Sequence, residues 1–359
     1  MATELHADQP NQARTVFVTG ANGYIGASVC RAFVGAGWRT FGLVRKLEAV
    51  DDLVAAEVIP VVGDFADLSF LDSVYEKAIV FDCIISCTES LSGYSDHFLN
   101  VMSLVKVLAE RSKRNGVRSL VLWSSGCKDY GTTDVHGSPT LFPHTETSPT
   151  NPPQFLRQRT ENCLRIFDYS DIFDAALLRP TSVFGRSGSY YGAMLSWVAV
   201  EAAAKANTLK IPVNPDSIMH ATHVDDCGAA YLAIAAHANR KEVAGKTFNI
   251  SGYRYETARE VGEALAKEYG FKGGVEFVPL AEAASSFPEG LQIVFNFSQW
   301  VSSEHIRQLT GWKDHRPLFS QNLSTYRQAY EAAHRRGNSN ILAIESRMSN
   351  NFGRYGSEY

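Results

Sequence analysis

The sequence predicts an α/β fold, a doubly wound parallel sheet followed by a smaller, mostly helical C-terminal lobe. Three observations carry that expectation. The apolar run Val16-Phe17-Val18 leads into Thr19-Gly20-Ala21-Asn22-Gly23-Tyr24-Ile25-Gly26 and then into helix-type periodicity reaching about Gly37. Short apolar runs alternate with helix-patterned segments through the first half, which calls for parallel strands covered by helices on both faces. From Gly185 onward the alternation gives way to an aromatic loop and mostly helical pieces.

Bulk properties narrow the field. At 359 residues the chain exceeds one typical domain and can bury a large core. Its net charge of −4 argues against a nucleic-acid partner, which would favour a basic stripe. Cys30, Cys83, Cys87, Cys127, Cys163 and Cys227 lie scattered in apolar segments without a C-x-x-C pair. That usage suits reduced thiols in the cytoplasm and implies no metal. The first thirteen residues are polar, and no run of about 18 apolar residues occurs, so neither a signal peptide nor a membrane span is expected.

In chain order, the glycine-rich stretch comes first. A strand, a glycine turn and a helix are what backbone N–H groups need to cradle a pyrophosphate. Gly20 makes the turn, Gly23 admits the phosphates, and Gly26 lets the helix pack on the strand, with Asn22, Tyr24 and Ile25 completing the loop. Arg39 to Val44 reads as a second strand ending at Arg45-Lys46. An acid there would bind the ribose 2′-hydroxyl of NAD, whereas an arginine accommodates a 2′-phosphate; NADP(H) is therefore expected over NAD(H). Val58 to Val62 is a third strand, after which Asp64 and Phe65 face the adenine. Phe81 to Ser86 is a fourth, placing Ser86 and Thr88 beside the cofactor. Helical periodicity fills Leu68 to Ala78 and Tyr94 to Asn115, and Asn115-Gly116 is a stop signal.

Ser119 to Trp123 is a fifth strand whose carboxyl end presents Ser125 to the presumed reaction site. The stretch from Cys127 to Pro153 is too long for a plain connection and reads as a lid or substrate loop. Phe155 to Tyr169 is helical, and Phe173 to Leu178 is a sixth strand ending at Arg179-Pro180. The Rossmann unit is thus expected over 13–184, completed by 224–252, and the substrate lobe over 185–223 and 253–336. Residues 337–359, rich in Asn, Ser, Gly and Arg, read as a disordered tail or surface arm.

Taken together, T-G-A-N-G-Y-I-G at 19–26, G-D-F at 63–65, S-S-G…Y-G from 124 to 131, P-T-N-P-P at 149–153, R-P-T-S-V-F-G at 179–185 and H-V-D-D at 223–226 resemble the extended short-chain dehydrogenase/reductase family, also called the NAD-dependent epimerase/dehydratase family. The resemblance covers about residues 14–335 in order. It implies that Ser125 fills the family's Ser position, that Asn100 supports the site, and that Pro180 and Val183 pass the nicotinamide. It also implies a Tyr-x-x-x-Lys pair on the helix after the proline-rich loop, the Tyr moving a proton and the Lys lowering its pKa.

The chain departs from that pattern, because the helix reads Phe155-Leu156-Arg157-Gln158-Arg159 and none of the fifteen tyrosines has Lys four residues later. Arg159 stays protonated, so it is expected to hold the cofactor ribose or pyrophosphate rather than shuttle protons. Replacement acids include Tyr130, Lys128, Tyr190, Tyr191, His220 and His223, with Tyr130 and Tyr190 first among them. The expected function is an NADP(H)-dependent oxidoreductase acting on a carbonyl or conjugated double bond of a small, largely apolar molecule, with Ser125 holding the substrate oxygen. A non-redox cyclase, isomerase or lyase and a nucleotide-sensing regulatory protein are the rivals. The charged outer faces of 94–115 and 155–169 leave a homodimer and a monomer equally expected.

Overall fold

A computed structural model describes residues 13–90, 92–279, 282 and 287–350. In the first half, β1 (Thr15–Thr19), α1 (Tyr24–Gly35), β2 (Arg39–Val44), α2 (Val50–Ala55), β3 (Ile59–Val62), α3 (Leu71–Tyr75), β4 (Cys83–Ser86), α4 (Tyr94–Arg114), β5 (Leu120–Ser124), α5 (Arg157–Leu164) and β6 (Asp174–Pro180) follow in turn. Then come β7 (Ser182–Phe184), α6 (Tyr190–Ala203), β8 (Leu209–Ile211), β9 (Ile218–Met219), β10 (Ala221–His223), α7 (Val224–Ala236), α8 (Arg240–Val243) and β11 (Lys246–Ile250). The chain ends with β12 (Glu256–Thr257), α9 (Ala258–Tyr269), β13 (Val275–Phe277), α10 (Glu289–Phe295), α11 (Glu304–Thr310), α12 (Leu323–Arg335) and α13 (Ser339–Asn350).

Seven strands form one parallel sheet in the order β11-β6-β5-β4-β1-β2-β3. The central strands are apolar on both faces, as burial between two helical layers requires, and every residue of β1 and β4 is buried. On one face Val16, Val18 and Ile85 pack under α1 and α7; on the other, Phe17, Ile84 and Trp123 pack under α4. Helices α1 and α7 approach closely because Gly228 has no side chain: a Cβ there would lie 2.6 Å from the Ser28 carbonyl oxygen. This pairing carries the segment after residue 223 back onto the sheet.

A second apolar cluster joins α6, α9 and α12 around Met194, Val261 and Tyr326. Helix α9 is delimited by a Thr257–Glu260 capping box and by Gly270 at φ +77. The tail expectation fails for 339–350. Ser339–Asn350 is a helix, and Ile341 is buried against the α6 cluster with Ile344 and Met348 beside it; residues 351–359 lie outside the described part of the chain.

The long loop after β5 is stapled down rather than free. Thr133 and His144 donate backbone N–H groups to the Ser298 and Trp300 carbonyls at 2.8 and 2.9 Å, and Ser302 donates back to His144 at 2.8 Å. Among the described residues no helix is long and apolar enough to cross a membrane, and no cluster of potential metal ligands occurs.

Candidate functional site

At the end of β1 the backbone takes the shape that the glycines foretell. Gly20 sits at φ +64, and the Gly23 N–H closes the turn on the Gly20 carbonyl at 2.9 Å. A Cβ on Gly26 would lie 2.1 Å from that same carbonyl oxygen, so only glycine fits. No side chain caps α1, which leaves its first amides for an anion. Beside this loop, the Ser86 and Thr88 hydroxyls at the end of β4 are buried without hydrogen-bond partners. An uncapped helix start and two orphaned hydroxyls at the carboxyl edge of the sheet fit a dinucleotide crossing it.

A cavity of about 1190 Å³ opens next to the loop. Ala21, Asn22, Tyr24, Arg45 and Lys46 line it, and both basic side chains are exposed. The Tyr24 hydroxyl donates to the Gly185 carbonyl and so ties the loop to the strand pair below, where Pro180 is buried and Val183 half-buried. Ile25 packs into the core rather than toward the cavity. Asp64 and Phe65 lie outside the cavity lining: one Asp64 carboxylate oxygen accepts the Ala66 N–H at 2.9 Å, and the Phe65 ring meets His97 edge-on.

Past β5 the site is ionic and buried. Asp129 is wholly buried and accepts from four groups: Arg159 (2.7 Å) and Thr160 (2.8 Å) on Oδ1, and Ser125 (2.6 Å) and Arg179 (3.0 Å) on Oδ2. Burial opposes its ionisation, but the Arg159 and Arg179 guanidinia hold the carboxyl below its ordinary value. Arg159 gives its other arm to Glu89 at 2.7 Å. Gly126 eases this arrangement, since a Cβ there would stand 3.3 Å from an Arg159 guanidinium nitrogen.

These contacts bear on several expected roles. Ser125 donates its hydroxyl proton to Asp129 in the ligand-free fold. Each terminal nitrogen of Arg159 meets a carboxylate, Glu89 or Asp129, so the side chain braces the turn. Tyr130 is only 2% exposed and donates to Asn249 (2.8 Å) while accepting from Arg179 (3.0 Å); burial pushes its phenol up to about 12. Asn100 is exposed on α4. Tyr190 opens α6 instead of riding a mobile loop, and burial raises its phenol while Arg347 on α13 opposes the rise. Tyr191 is buried against Phe184 and Phe319.

The two histidines are structural as well. His220 accepts from the Val301 N–H and so donates through Nε2 to the Gly252 carbonyl, both ring nitrogens being used. His223 caps α7 by accepting the Asp225 N–H, and burial pulls it down to about 4.

What remains is Lys128. Its ammonium lies 3.6 Å from the centre of the Phe297 ring, and burial, with Arg159 nearby, lowers it to about 7. Asp129 and Arg179 form a buried ion pair in this site that sequence reasoning missed. A charged residue between Leu178 and Pro180, in a strand otherwise apolar, was the available signal that a buried counter-charge exists.

Comparison with known proteins agrees with this geometry. The family model described as NAD dependent epimerase/dehydratase family matches residues 16–251. A UDP-glucose 4-epimerase of Mycolicibacterium smegmatis is 26% identical over 276 residues, 73% of this chain and 85% of that protein. Among solved structures, the UDP-Glc/GlcNAc 4-epimerase of Campylobacter jejuni superposes with a TM-score of 0.64 at 23% identity, covering 89% of this chain and 100% of the other. The dTDP-glucose 4,6-dehydratase of Bacillus anthracis, solved with NAD, gives 0.67 at 16% identity, covering 90% and 98%. At those identities the structures speak for the fold alone. With the glycine cradle, the seven-stranded sheet and a family match spanning well over half of its length, the chain belongs to the NAD-dependent epimerase/dehydratase family.

Proposed function

We propose that this enzyme is an NADP(H)-dependent reductase of a carbonyl or conjugated double bond in a small, largely apolar molecule. One observation carries the reading: the dinucleotide cradle is intact and ends in Arg45 and Lys46, while the helix that would hold Tyr and Lys holds Phe155 and an Arg159 bound to Asp129 and Glu89. The cations after β2 suit a 2′-phosphate. Phe155 puts an apolar ring where the family places a phenol, which favours an apolar substrate.

The bound nicotinamide would supply hydride. Lys128 supplies the proton to the substrate oxygen and is restored from solvent, since a lysine lowered to about 7 is partly protonated and acidic enough at neutral pH. The Asp129 cluster anchors the turn that carries Lys128, its carboxylate being held by Ser125 and Arg179. Gln299 adds to this by donating to the Cys127 and Gly131 carbonyls at 2.7 and 2.6 Å.

The names of the curated relatives support a second reading, an isomerisation in which the nucleotide is not consumed. Incubating nucleotide-stripped protein with a small-molecule extract and no, trace or excess NADPH separates the two by mass spectrometry. Product rising mole for mole with NADPH oxidised establishes the reductase. Product at trace nucleotide without NADPH loss sinks it in favour of the isomerase. Arg45→Ala should weaken NADPH binding by about 1.5–3 kcal/mol in titration calorimetry and leave NADH nearly unchanged. Equal losses for both would remove the 2′-phosphate from the reading.

A further inference from the structure

The cavity beside the glycine loop has a second wall, made by Ala333 and by Arg336 to Asn340. This wall belongs to the turn between α12 and α13, well past residue 251 where the family match ends. It is tied in place at three points. The Asn340 side-chain amide donates to the Asn22 carbonyl, inside the glycine loop, at 3.2 Å. Gly188 lies against the backbone of α13 so closely that a Cβ there would stand 2.6 Å from the Ile341 nitrogen. Ile341 itself is 1% exposed. Gly337, at φ +67, turns the chain between the two helices.

The charges on the two walls match. Arg45 and Lys46 on one side and Arg336 on the other have no ion-pair partner among the described residues, whereas the other two lining arginines, Arg31 and Arg186, are both bound to Asp225. Glu48 and Asp52 also line the cavity, so a net basic excess rather than a purely basic lining faces the ligand.

We propose that the segment from Ala333 to Asn340 is a built part of the dinucleotide site, in which Arg336 is a second specificity-determining cation for the 2′-phosphate and the Asn340–Asn22 link holds the bound nucleotide in. The inference rests on the NADP(H) reading. It places cofactor choice partly in the C-terminal arm, on residues outside the matched family region. A phosphate monoester between cations contributed by both walls would gain charge-assisted hydrogen bonds that a 2′-hydroxyl would not. Because Arg336 is exposed, replacing it leaves the buried packing of α12 untouched.

The test uses the full chain and measures equilibrium binding of NADPH, NADH and 2′,5′-ADP to the wild type, Arg336→Ala and Arg45→Ala. Stopped-flow release of NADPH is added for Asn340→Ala. Arg336→Ala is expected to weaken NADPH and 2′,5′-ADP by about tenfold or more, with NADH unchanged. Asn340→Ala is expected to speed NADPH release several-fold without altering the NADPH-to-NADH affinity ratio. If Arg336→Ala leaves NADPH binding intact while Arg45→Ala weakens it, the C-terminal role is overturned and the NADP(H) reading survives. Wild-type protein that binds NADH as tightly as NADPH overturns both.

Discussion

Asp129→Ala is expected to lower the unfolding free energy by about 3–5 kcal/mol, the range for removing one partner from a buried charge cluster. The size follows from what stays behind. Arg179 is 3% exposed, and Arg159 would keep only Glu89, so at least one guanidinium would be left in the interior without a counter-charge. Ser125 and Thr160 would lose their acceptor at the same time, although Thr160 also reaches the Leu156 carbonyl at 3.1 Å. Urea denaturation reads the effect as a fall in the midpoint with an unchanged slope. A loss under about 1 kcal/mol would show that solvent reaches the cluster.

The acid limb of stability supplies an independent check on the same carboxyl. Its folded pKa is depressed, so the stability it contributes is complete above the ordinary carboxylate value of about 4 and is lost as pH falls through the lower folded value. The Asp129→Ala protein lacks this contribution, and its stability should fall less steeply in that acid window than the wild type's. A variant with the wild-type acid slope would assign the limb to other carboxylates.

Much of the frame was readable because it is local or periodic. The central strands of the sheet are apolar on both faces, so each stands out as a short run whatever surrounds it, and Gly20 turns at φ +64 while Gly26 has no room for a Cβ. Nothing local announces the Asp129 cluster, because its partners lie 30 and 50 residues away in sequence. Tyr130 looked like an acid since it follows Ser125 closely; in three dimensions the turn sends its hydroxyl inward to Asn249. For α13 the signal existed and was outweighed. Ile341, Ile344 and Met348 recur at helical spacing, but a composition rich in Asn, Ser and Arg suggested disorder.

Lys128→Met should reduce turnover by about 10²- to 10⁴-fold, the range for losing a positioned general acid, while NADPH binding stays within about twofold. Methionine keeps an unbranched apolar side chain of similar length and removes the ammonium that sits over Phe297. The pH profile adds a second reading of the same residue. With the protonated amine as the proposed donor, wild-type turnover should be highest below about 7 and decline as pH rises through that value. Stability must move the other way: the unfolded chain keeps the ordinary lysine value near 10.4 and binds more protons than the folded one between about 7 and 10.4, so this group makes the fold more stable as pH rises through that window. Lys128→Met removes an ammonium that burial disfavours and should therefore raise Tm at neutral pH by about 2 °C. A variant that is both more stable and inactive would mark a residue kept for chemistry at the expense of the fold. Full turnover in Lys128→Met would exclude the amine and turn the search to Tyr190, the half-buried phenol that opens α6.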